Sequence, residues 1–209
     1  DDLTIGTGGL SLNAGASGTV LVSGAVTGGG LNLTLTNAGG ATFEGAVNAV
    51  GTLTVTQSGG TTFEDTVAAA TVTLTNTTGL IDFQGAVTIG TMNTAAQAYG
   101  VRFGLGGTIT NGVTFANTGT LTIAAGFTFD GGATATAGPK SLAGTITTSN
   151  DPLNFQTSAV TLTGHTTLTT GTGNIQLGAV TSAGFNLALA GSGTDTVASA
   201  SLGAGVFNL

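Results

Sequence analysis

The chain has 209 residues and a formal net charge of −7, with two cationic side chains, one histidine and no cysteine. Two cations cannot neutralise a run of phosphates, which excludes nucleic-acid binding, and the lack of cysteine excludes disulfides and structural zinc sites. The 38 glycines and the abundant threonine and valine favour an all-β chain with many tight turns. We expect no metal and no cofactor.

A 20-residue repeat dominates the first half of the chain. Phenylalanine recurs at this spacing within similar heptapeptides, at Phe43, Phe63, Phe83 and Phe103. A segment of the type Leu-Thr-Leu-Thr-Asn precedes each heptapeptide, and glycines separate the two. Each repeat therefore predicts two strands of strict alternation joined by a glycine turn, and a period of this length indicates a solenoid.

Identical residues at equivalent positions favour a parallel β-solenoid over a meander of hairpins. In a parallel stack, equivalent residues of successive coils lie about 4.8 Å apart, so ten coils make a rod of roughly 45–50 Å. The predicted core ladder consists of Phe43, Phe63, Phe83, Phe103, Phe155 and Ile175. A second ladder, of stacked side-chain amides at a corner, is predicted for Asn37, Gln57, Asn76 and Gln97.

Residues 88–153 depart from the repeat within what we expect to be a single rod over residues 1–209. The interval from Phe103 to Phe155 is too long for two coils and too short for three, which predicts an irregular or inserted segment. Phe127 and Phe129 are expected to supply its interior aromatic rings. Loops that leave a regular scaffold often carry function.

Arg102, the only arginine, follows Asp82 by one period. The two side chains are therefore expected to stack on adjacent coils as an ion pair that holds the register. In the alternative interpretation Arg102 faces a ligand in the irregular region, with Tyr99 as the wall of the site.

The acidic and histidine residues favour no catalytic site. Glu44 and Glu64 share an outward column and are interpreted as solvated carboxylates rather than as a calcium site or an acidic pair. Asp65 replaces a glycine of the repeat and is expected at a corner, since a buried charge is costly. His165 has no neighbouring Ser/Asp partner motif.

Outward Thr-x-Thr pairs are the most suggestive surface feature, because a flat lattice of threonines could bind ice, although threonine is also simply a good outward strand former. The pairs of three consecutive coils are candidate binding residues, together with Tyr99 and Arg102: Thr34, Thr36, Thr54, Thr56, Thr73 and Thr75. Later pairs are Thr120/Thr122, Thr145/Thr147, Thr161/Thr163 and Thr167/Thr169.

The unit LTVTQSGGTTF at residues 53–63, and its neighbours over residues 18–90 and 141–190, resembles the repeats of large bacterial surface proteins. These are the filamentous-haemagglutinin-like proteins and the autotransporter passenger β-helices. The resemblance implies a right-handed parallel β-helix, export by a type V-like route and a location at or beyond the outer membrane. It also implies a role as adhesin, stalk or filament material.

We therefore expect a non-enzymatic, extracellular rod segment that serves adhesion or scaffolding at a bacterial cell surface. The sequence is interpreted as a mature product or a fragment, without a signal peptide or a membrane-spanning segment. Expected partners are further copies joined end to end, or host or cell-surface glycans or proteins. The alternatives are an ice-binding solenoid and a carbohydrate-active β-helix enzyme, which would need a groove lined by three or more acids.

Overall fold

The computed structural model describes all 209 residues, and its regular structure consists of 22 β-strands. None of its segments forms a helix that is long and apolar enough to span a membrane. In chain order the strands are β1 (Leu3–Thr4), β2 (Leu10–Val22), β3 (Val26–Thr27), β4 (Leu33–Phe43), β5 (Val47–Val55), β6 (Thr61–Phe63), β7 (Val67–Leu74), β8 (Ile81–Phe83), β9 (Val87–Thr94), β10 (Val101–Phe103), β11 (Gly107–Ile109), β12 (Val113–Thr114), β13 (Leu121–Ile123), β14 (Phe127–Phe129), β15 (Ala133–Thr134), β16 (Lys140–Thr147), β17 (Leu153–Phe155), β18 (Val160–Gly171), β19 (Ile175–Ser182), β20 (Leu187–Gly191), β21 (Thr196–Ser201) and β22 (Phe207–Asn208).

Every strand pairs in parallel with the strand one coil away, which confirms the predicted β-solenoid. Each coil contributes to three ladders, which we call A, B and C in the order in which the chain first enters them. Ladder A starts at β1, ladder B at the first residues of β2, and ladder C at the last residues of β2. Long strands such as β4 and β18 bend round a corner and belong to two ladders.

The interior is one apolar cluster of 46 buried residues that runs along the whole stack. Four phenylalanine rings in ladder C form its most regular part, with ring centroids 5.0 Å apart from Phe43 to Phe63, 5.0 Å from Phe63 to Phe83 and 5.5 Å from Phe83 to Phe103. All four are at most 1% exposed. The prediction of a buried stack on parallel strands is confirmed for these four residues.

The assignment of Phe155 and Ile175 to the same stack is wrong. Both are buried, but they lie in ladder B, where Phe155 pairs with Leu177 and Ile175 pairs with Leu153. Their 20-residue spacing is misleading because all three ladders have the same pattern. In each ladder an inward apolar residue is followed by an outward polar residue. Beyond Phe103, ladder C continues instead through the shorter aliphatic residues Ile123, Leu142 and Leu162.

The insertion predicted within residues 88–153 is absent from ladder C. Phe103 pairs with Ile123, and Ile123 pairs with Leu142, so the coil length stays close to 20 residues. The interior aromatic rings move to ladder A, where Phe127 and Phe129 are buried as expected, and the ring of Phe127 lies 4.5 Å from that of Phe103. The aromatic residues of the core therefore shift from ladder C to ladder A, while the period of about 20 residues per coil is kept.

The backbone ladder is interrupted at one place, between β9 and β12 in ladder B. Here the hydroxyl of Thr94 donates to the carbonyl of Thr114 at 3.1 Å and accepts from the amide of Ala116 at 2.8 Å. A threonine side chain thus satisfies backbone groups that strand pairing satisfies elsewhere. This joint is the one gap in the strand pairing, whereas the register shifts in β2, β5, β16 and β18 leave the pairing of their strands in place.

The predicted ladder of stacked amides is absent. Gln57, Asn76 and Gln97 are exposed, and the buried side-chain oxygen of Asn37 has no hydrogen-bond partner. The corner is held by hydroxyls of shorter side chains, which reach the backbone of the neighbouring coil: Thr77 Oγ1 donates to the carbonyl of Ser58 at 2.7 Å.

Glycine is required at this corner because the coils approach each other closely. A Cβ atom on Gly59 would lie 2.1 Å from the carbonyl oxygen of Gly39, and one on Gly79 would lie 1.7 Å from that of Gly59. Both contacts are with backbone, which cannot move aside without breaking the ladder. The repeated glycines of the sequence thus set how tightly the coils turn between ladders B and C.

The phenylalanine stack yields a stability prediction. Phe63→Ala should lower the free energy of unfolding by about 3–5 kcal/mol, because it removes a ring packed between two others and leaves a cavity. Thr62→Ala, on the outward side of the same strand, should cost less than about 0.5 kcal/mol. Urea unfolding followed by circular dichroism measures both, and equal effects of the two changes would contradict the packing described here.

Candidate functional site

The middle residues of ladder C form one outward column along the whole rod. It contains one residue from each of ten coils: Leu21, Thr42, Thr62, Asp82, Arg102, Thr122, Ser141, Thr161, Thr181 and Ser201. Hydroxyl side chains occupy most positions, and charge appears only where Asp82 and Arg102 adjoin. The column therefore presents a neutral strip with a single ion pair in its middle.

The ion pair has the geometry that the sequence predicts. Arg102 Nη1 lies 2.8 Å from Asp82 Oδ1, and Gln84 Nε2 donates to Asp82 Oδ2 at 3.1 Å. The Asp82 residue is only 8% exposed, so both carboxylate oxygens need partners, and both have one. The prediction that Arg102 stacks over Asp82 on the adjacent coil is confirmed.

Tyr99 does not share a surface with Arg102. Its residue is 0% exposed, and its hydroxyl accepts from the amide of Ala95 at 3.0 Å and donates to the carbonyl of Leu74 at 3.4 Å. Burial raises the pKa of Tyr99 to about 12. The alternative interpretation, a ligand site shared by Tyr99 and Arg102, is therefore wrong, and the tyrosine instead fills the interior beside the joint of ladder B.

The predicted threonine pairs of the first coils do lie side by side. Thr34, Thr54 and Thr73 pair in register in ladder B, and Thr36, Thr56 and Thr75 follow two residues later along the chain. All six are half-buried. Some of their hydroxyls are already engaged, since Thr75 donates to the carbonyl of Thr56 at 2.9 Å and Thr36 is 2.8 Å from the hydroxyl of Ser11.

A third threonine column lies beside the two predicted ones. Thr52, Thr71 and Thr91 pair in register and point outward from the same ladder. The sequence contains a signal for two of them, because Thr52 and Thr71 stand two residues before the predicted outward residues Thr54 and Thr73. The three threonine columns of ladder B coincide on two coils, those of Thr52 and Thr71, because the next coil has Asn93 opposite Thr73.

The later threonine pairs do not extend that array. Thr122 and Thr161 belong to ladder C, whereas Thr147 and Thr169 belong to ladder A. Alternation along a strand distinguishes inward from outward but says nothing about which of three ladders a strand joins. The seven predicted Thr-x-Thr pairs are consequently spread over three faces of the rod.

The carboxylates that were expected to be solvated lie at the corners. Glu44, Glu64 and Asp65 are exposed, and Asp65 Oδ1 accepts from the amide of Thr66 at 2.6 Å, in agreement with a corner position. No group of three or more His, Cys, Asp or Glu side chains is placed to hold a metal ion. None of the four surface cavities has an acidic residue in its lining.

The only histidine serves the backbone. His165 is exposed, its Nδ1 accepts from the amide of Asn186 in the next coil at 3.0 Å, and its ring meets the edge of Phe185 at 5.7 Å. Asn186 Oδ1 accepts in turn from the amide of Val206 at 2.9 Å. Side-chain acceptors of this kind, which the sequence did not reveal, join successive coils at a corner.

The most unexpected residue is Lys140, whose side chain points into the core. It occupies an inward position of ladder C between Leu121 and Val160 and is 1% exposed. Its Nζ donates to the carbonyl of Gln156 at 3.2 Å and has no acidic partner. Burial lowers the pKa of Lys140 to about 8. The inward position of Lys140 follows only from the register of its strand, in which it pairs with Leu121.

The stacked coils place the chain among β-solenoid proteins, and they are compatible with the β-helix repeat proteins that its sequence resembles. Comparison with protein-family models, with curated proteins and with solved structures finds no match to this chain.

The Asp82–Arg102 pair yields a measurable coupling. A double-mutant cycle of Asp82→Asn and Arg102→Gln should give a coupling free energy of at most about 1 kcal/mol, because the guanidinium is partly solvated. The cycle is read from urea unfolding at low and high salt, and the coupling should fall as salt rises. A coupling near zero at low salt would contradict a role of this pair in holding the register.

Lys140 yields a prediction of stability against pH. Because its pKa is about 8 in the fold and 10.5 as an ordinary lysine, the unfolded chain binds more protons between these values and stability rises with pH. Below pH 8 the folded state carries the full cost of the buried charge. Lys140→Met should therefore stabilise the protein by roughly 1–3 kcal/mol at pH 7, and this advantage should shrink towards pH 10.

The control for this prediction is Lys140→Arg, which keeps its charge over the whole range and should remove the rise in stability between pH 8 and pH 10. Thermal unfolding from pH 7 to pH 10 gives the measurement. Higher pH is unsuitable because the raised pKa of Tyr99 makes the fold lose stability above about pH 10. A pH-independent difference between Lys140→Met and the parent chain would contradict the buried ammonium.

Proposed function

We propose that this chain is a non-enzymatic rod segment of an extracellular bacterial surface protein, acting as a stalk or scaffold for adhesion. The observation that carries the proposal is the continuity of the three ladders, which run from Leu3 to Asn208 with parallel pairing at nearly every step. Ten coils of about 4.8 Å each span roughly 48 Å. A core shared by all coils makes such a rod stiff, because no coil can bend without breaking contacts to both neighbours.

The chemistry of the surface supports a structural role. Outward positions carry mainly uncharged hydroxyls, and the exposed carboxylates Glu44, Glu64 and Asp65 lie at corners. Such faces favour contact with neutral, hydroxyl-rich partners through many weak hydrogen bonds, as glycans offer. Host or cell-surface glycans are therefore the partners that we propose for an adhesive role of the rod.

The lack of cysteine supports export by the route that the sequence resemblance implies. A chain that crosses an outer membrane unfolded would be obstructed by a disulfide formed too early in an oxidising compartment. A parallel solenoid can fold progressively as its coils emerge, because each coil needs only its predecessor as a template.

Surface labelling of cells of the source organism tests the proposal. Antibodies raised against the folded chain should label intact cells, and external protease should remove the signal while a cytoplasmic control protein survives. Labelling that requires permeabilised cells would contradict an extracellular location. Binding of the purified chain to a glycan array, with heat-unfolded chain as the control, then tests the adhesive role separately.

Ice binding is a second candidate function, and the third threonine column favours it. On the two coils of Thr52 and Thr71 the patch is three threonines wide, and the outward positions repeat at about 4.8 Å between coils and roughly 6.7 Å along the chain. A regular array of this kind can order water over its surface. Thermal hysteresis of the purified chain would distinguish this function from that of a rod.

A further inference from the structure

One asparagine of the chain is followed directly by glycine. Asn111 precedes Gly112 at the corner between β11 and β12, whereas every other asparagine precedes a residue that carries a side chain. The side-chain amide of an asparagine can react with the backbone nitrogen of the next residue. A glycine in that place favours the reaction, because it has no Cβ to hinder the nitrogen and its backbone turns easily.

The backbone nitrogen of Gly112 is accessible and unbonded. The amides on either side of it are held, since Asn111 N donates to the carbonyl of Gly90 at 2.9 Å and Val113 N donates to that of Gly132 at 3.2 Å. The amide of Gly112 itself donates to no acceptor in the chain. The residue is exposed, and a surface hollow of about 130 Å³ opens beside it. Water and hydroxide therefore reach this nitrogen.

The side chain of Asn111 is held by a single hydrogen bond. Its Nδ2 donates to the hydroxyl of Thr91 on the preceding coil at 2.8 Å. The residue is exposed, so water can replace this contact at little cost. The amide group is thus free to turn from Thr91 towards Gly112, and the bond to Thr91 acts as a weak restraint on that movement.

We propose that Asn111 is a site of spontaneous deamidation in the folded rod. The nitrogen of Gly112 loses its proton and attacks Cγ of Asn111. The new N–C bond closes a cyclic imide, and the Cγ–Nδ2 bond breaks as ammonia leaves with that proton. Water then opens the imide at either carbonyl and leaves a carboxylate, on a normal or an isoaspartyl backbone. The inference goes beyond the proposed rod function and does not depend on it.

Neighbouring candidates lack one of the required features. Asp130 also precedes a glycine, Gly131, but its negative charge repels an attacking nitrogen anion, and the hydroxyl of Ser149 donates to it. Asn48 and Asn93 are exposed as well, but the residue that follows each of them carries a Cβ. The reaction should therefore be confined to Asn111.

The rod can accommodate the product because the site adjoins the joint of ladder B. β12, which follows Gly112, pairs only with β15, and its other side faces the gap to β9. The isoaspartyl form lengthens the backbone by one atom at a place where no strand pairing is lost. The hydroxyl of Thr91 can turn its proton towards the new carboxylate at position 111. The modified rod should stay folded and carry one more negative charge.

Peptide mapping of the aged protein tests the proposal. The purified folded chain is kept at pH 7 and at pH 9, then unfolded and digested with trypsin. Cleavage after the only two basic residues releases peptide 103–140, which contains the site. Mass spectrometry should show replacement of NH2 by OH at Asn111, faster at pH 9 because the nitrogen of Gly112 must lose its proton.

A synthetic peptide of residues 103–120 gives the unrestrained rate. The folded chain should react within about tenfold of it, because opening of an exposed corner costs little free energy. A slower reaction than this, or equal modification of Asn48 and Asn93, would overturn the proposal. Hydroxylamine, which cleaves a cyclic imide, should split the ageing parent chain between residues 111 and 112 and leave N111Q intact. Cleavage of both proteins at this place would also overturn it.

A matched pair of threonine variants tests the restraint. T91V removes the hydrogen bond to Asn111 and should speed deamidation roughly two- to tenfold, the factor that one hydrogen bond contributes. T71V changes the residue paired with Thr91 one coil away and should leave the rate unchanged. Equal rates in the two variants would contradict the restraining role of Thr91.

Discussion

Parallel hydrogen bonding between coils about 20 residues apart is the constraint on which the rest of the structure depends. Because each strand lies directly over its predecessor, a residue inherits the environment of the residue one period earlier. Phe43, Phe63 and Phe83 can stack only because the register repeats without drift. The same register forces every outward residue into a column, so the surface is as repetitive as the core.

The spacing of about 4.8 Å between the residues of a column explains why charged residues are so scarce in this chain. Two like charges about 4.8 Å apart repel, so a column tolerates one charge or an opposite pair but not a run. Asp82 and Arg102 are the one place on the strand faces where charges meet, and they have opposite signs. The corner carboxylates Glu44 and Glu64 escape the problem because both are exposed to water. Threonine fills many of the remaining outward positions, as a strand former that carries no charge.

The core contains polar groups that the same register places there. Lys140 stands in a column of aliphatic residues because its strand pairs with those of Leu121 and Val160. Asn117, 2% exposed, has a side-chain oxygen without a partner. Such groups reduce stability, but contacts with coils on both sides hold them in place. In a stacked fold, the neighbouring coils can therefore accommodate a local cost that a small globular core would not tolerate.

The sequence by itself determined the coil, its period, the stack from Phe43 to Phe103 and the Asp82–Arg102 pair, because all of these follow from identity at a 20-residue spacing. Only the tertiary structure decided which ladder each strand joins. Inward and outward positions alternate in the same way in all three ladders, so Phe155 resembles a member of the phenylalanine stack and yet packs elsewhere. The same ambiguity hid the inward Lys140, since corners of variable length separate the strands and their length sets the register.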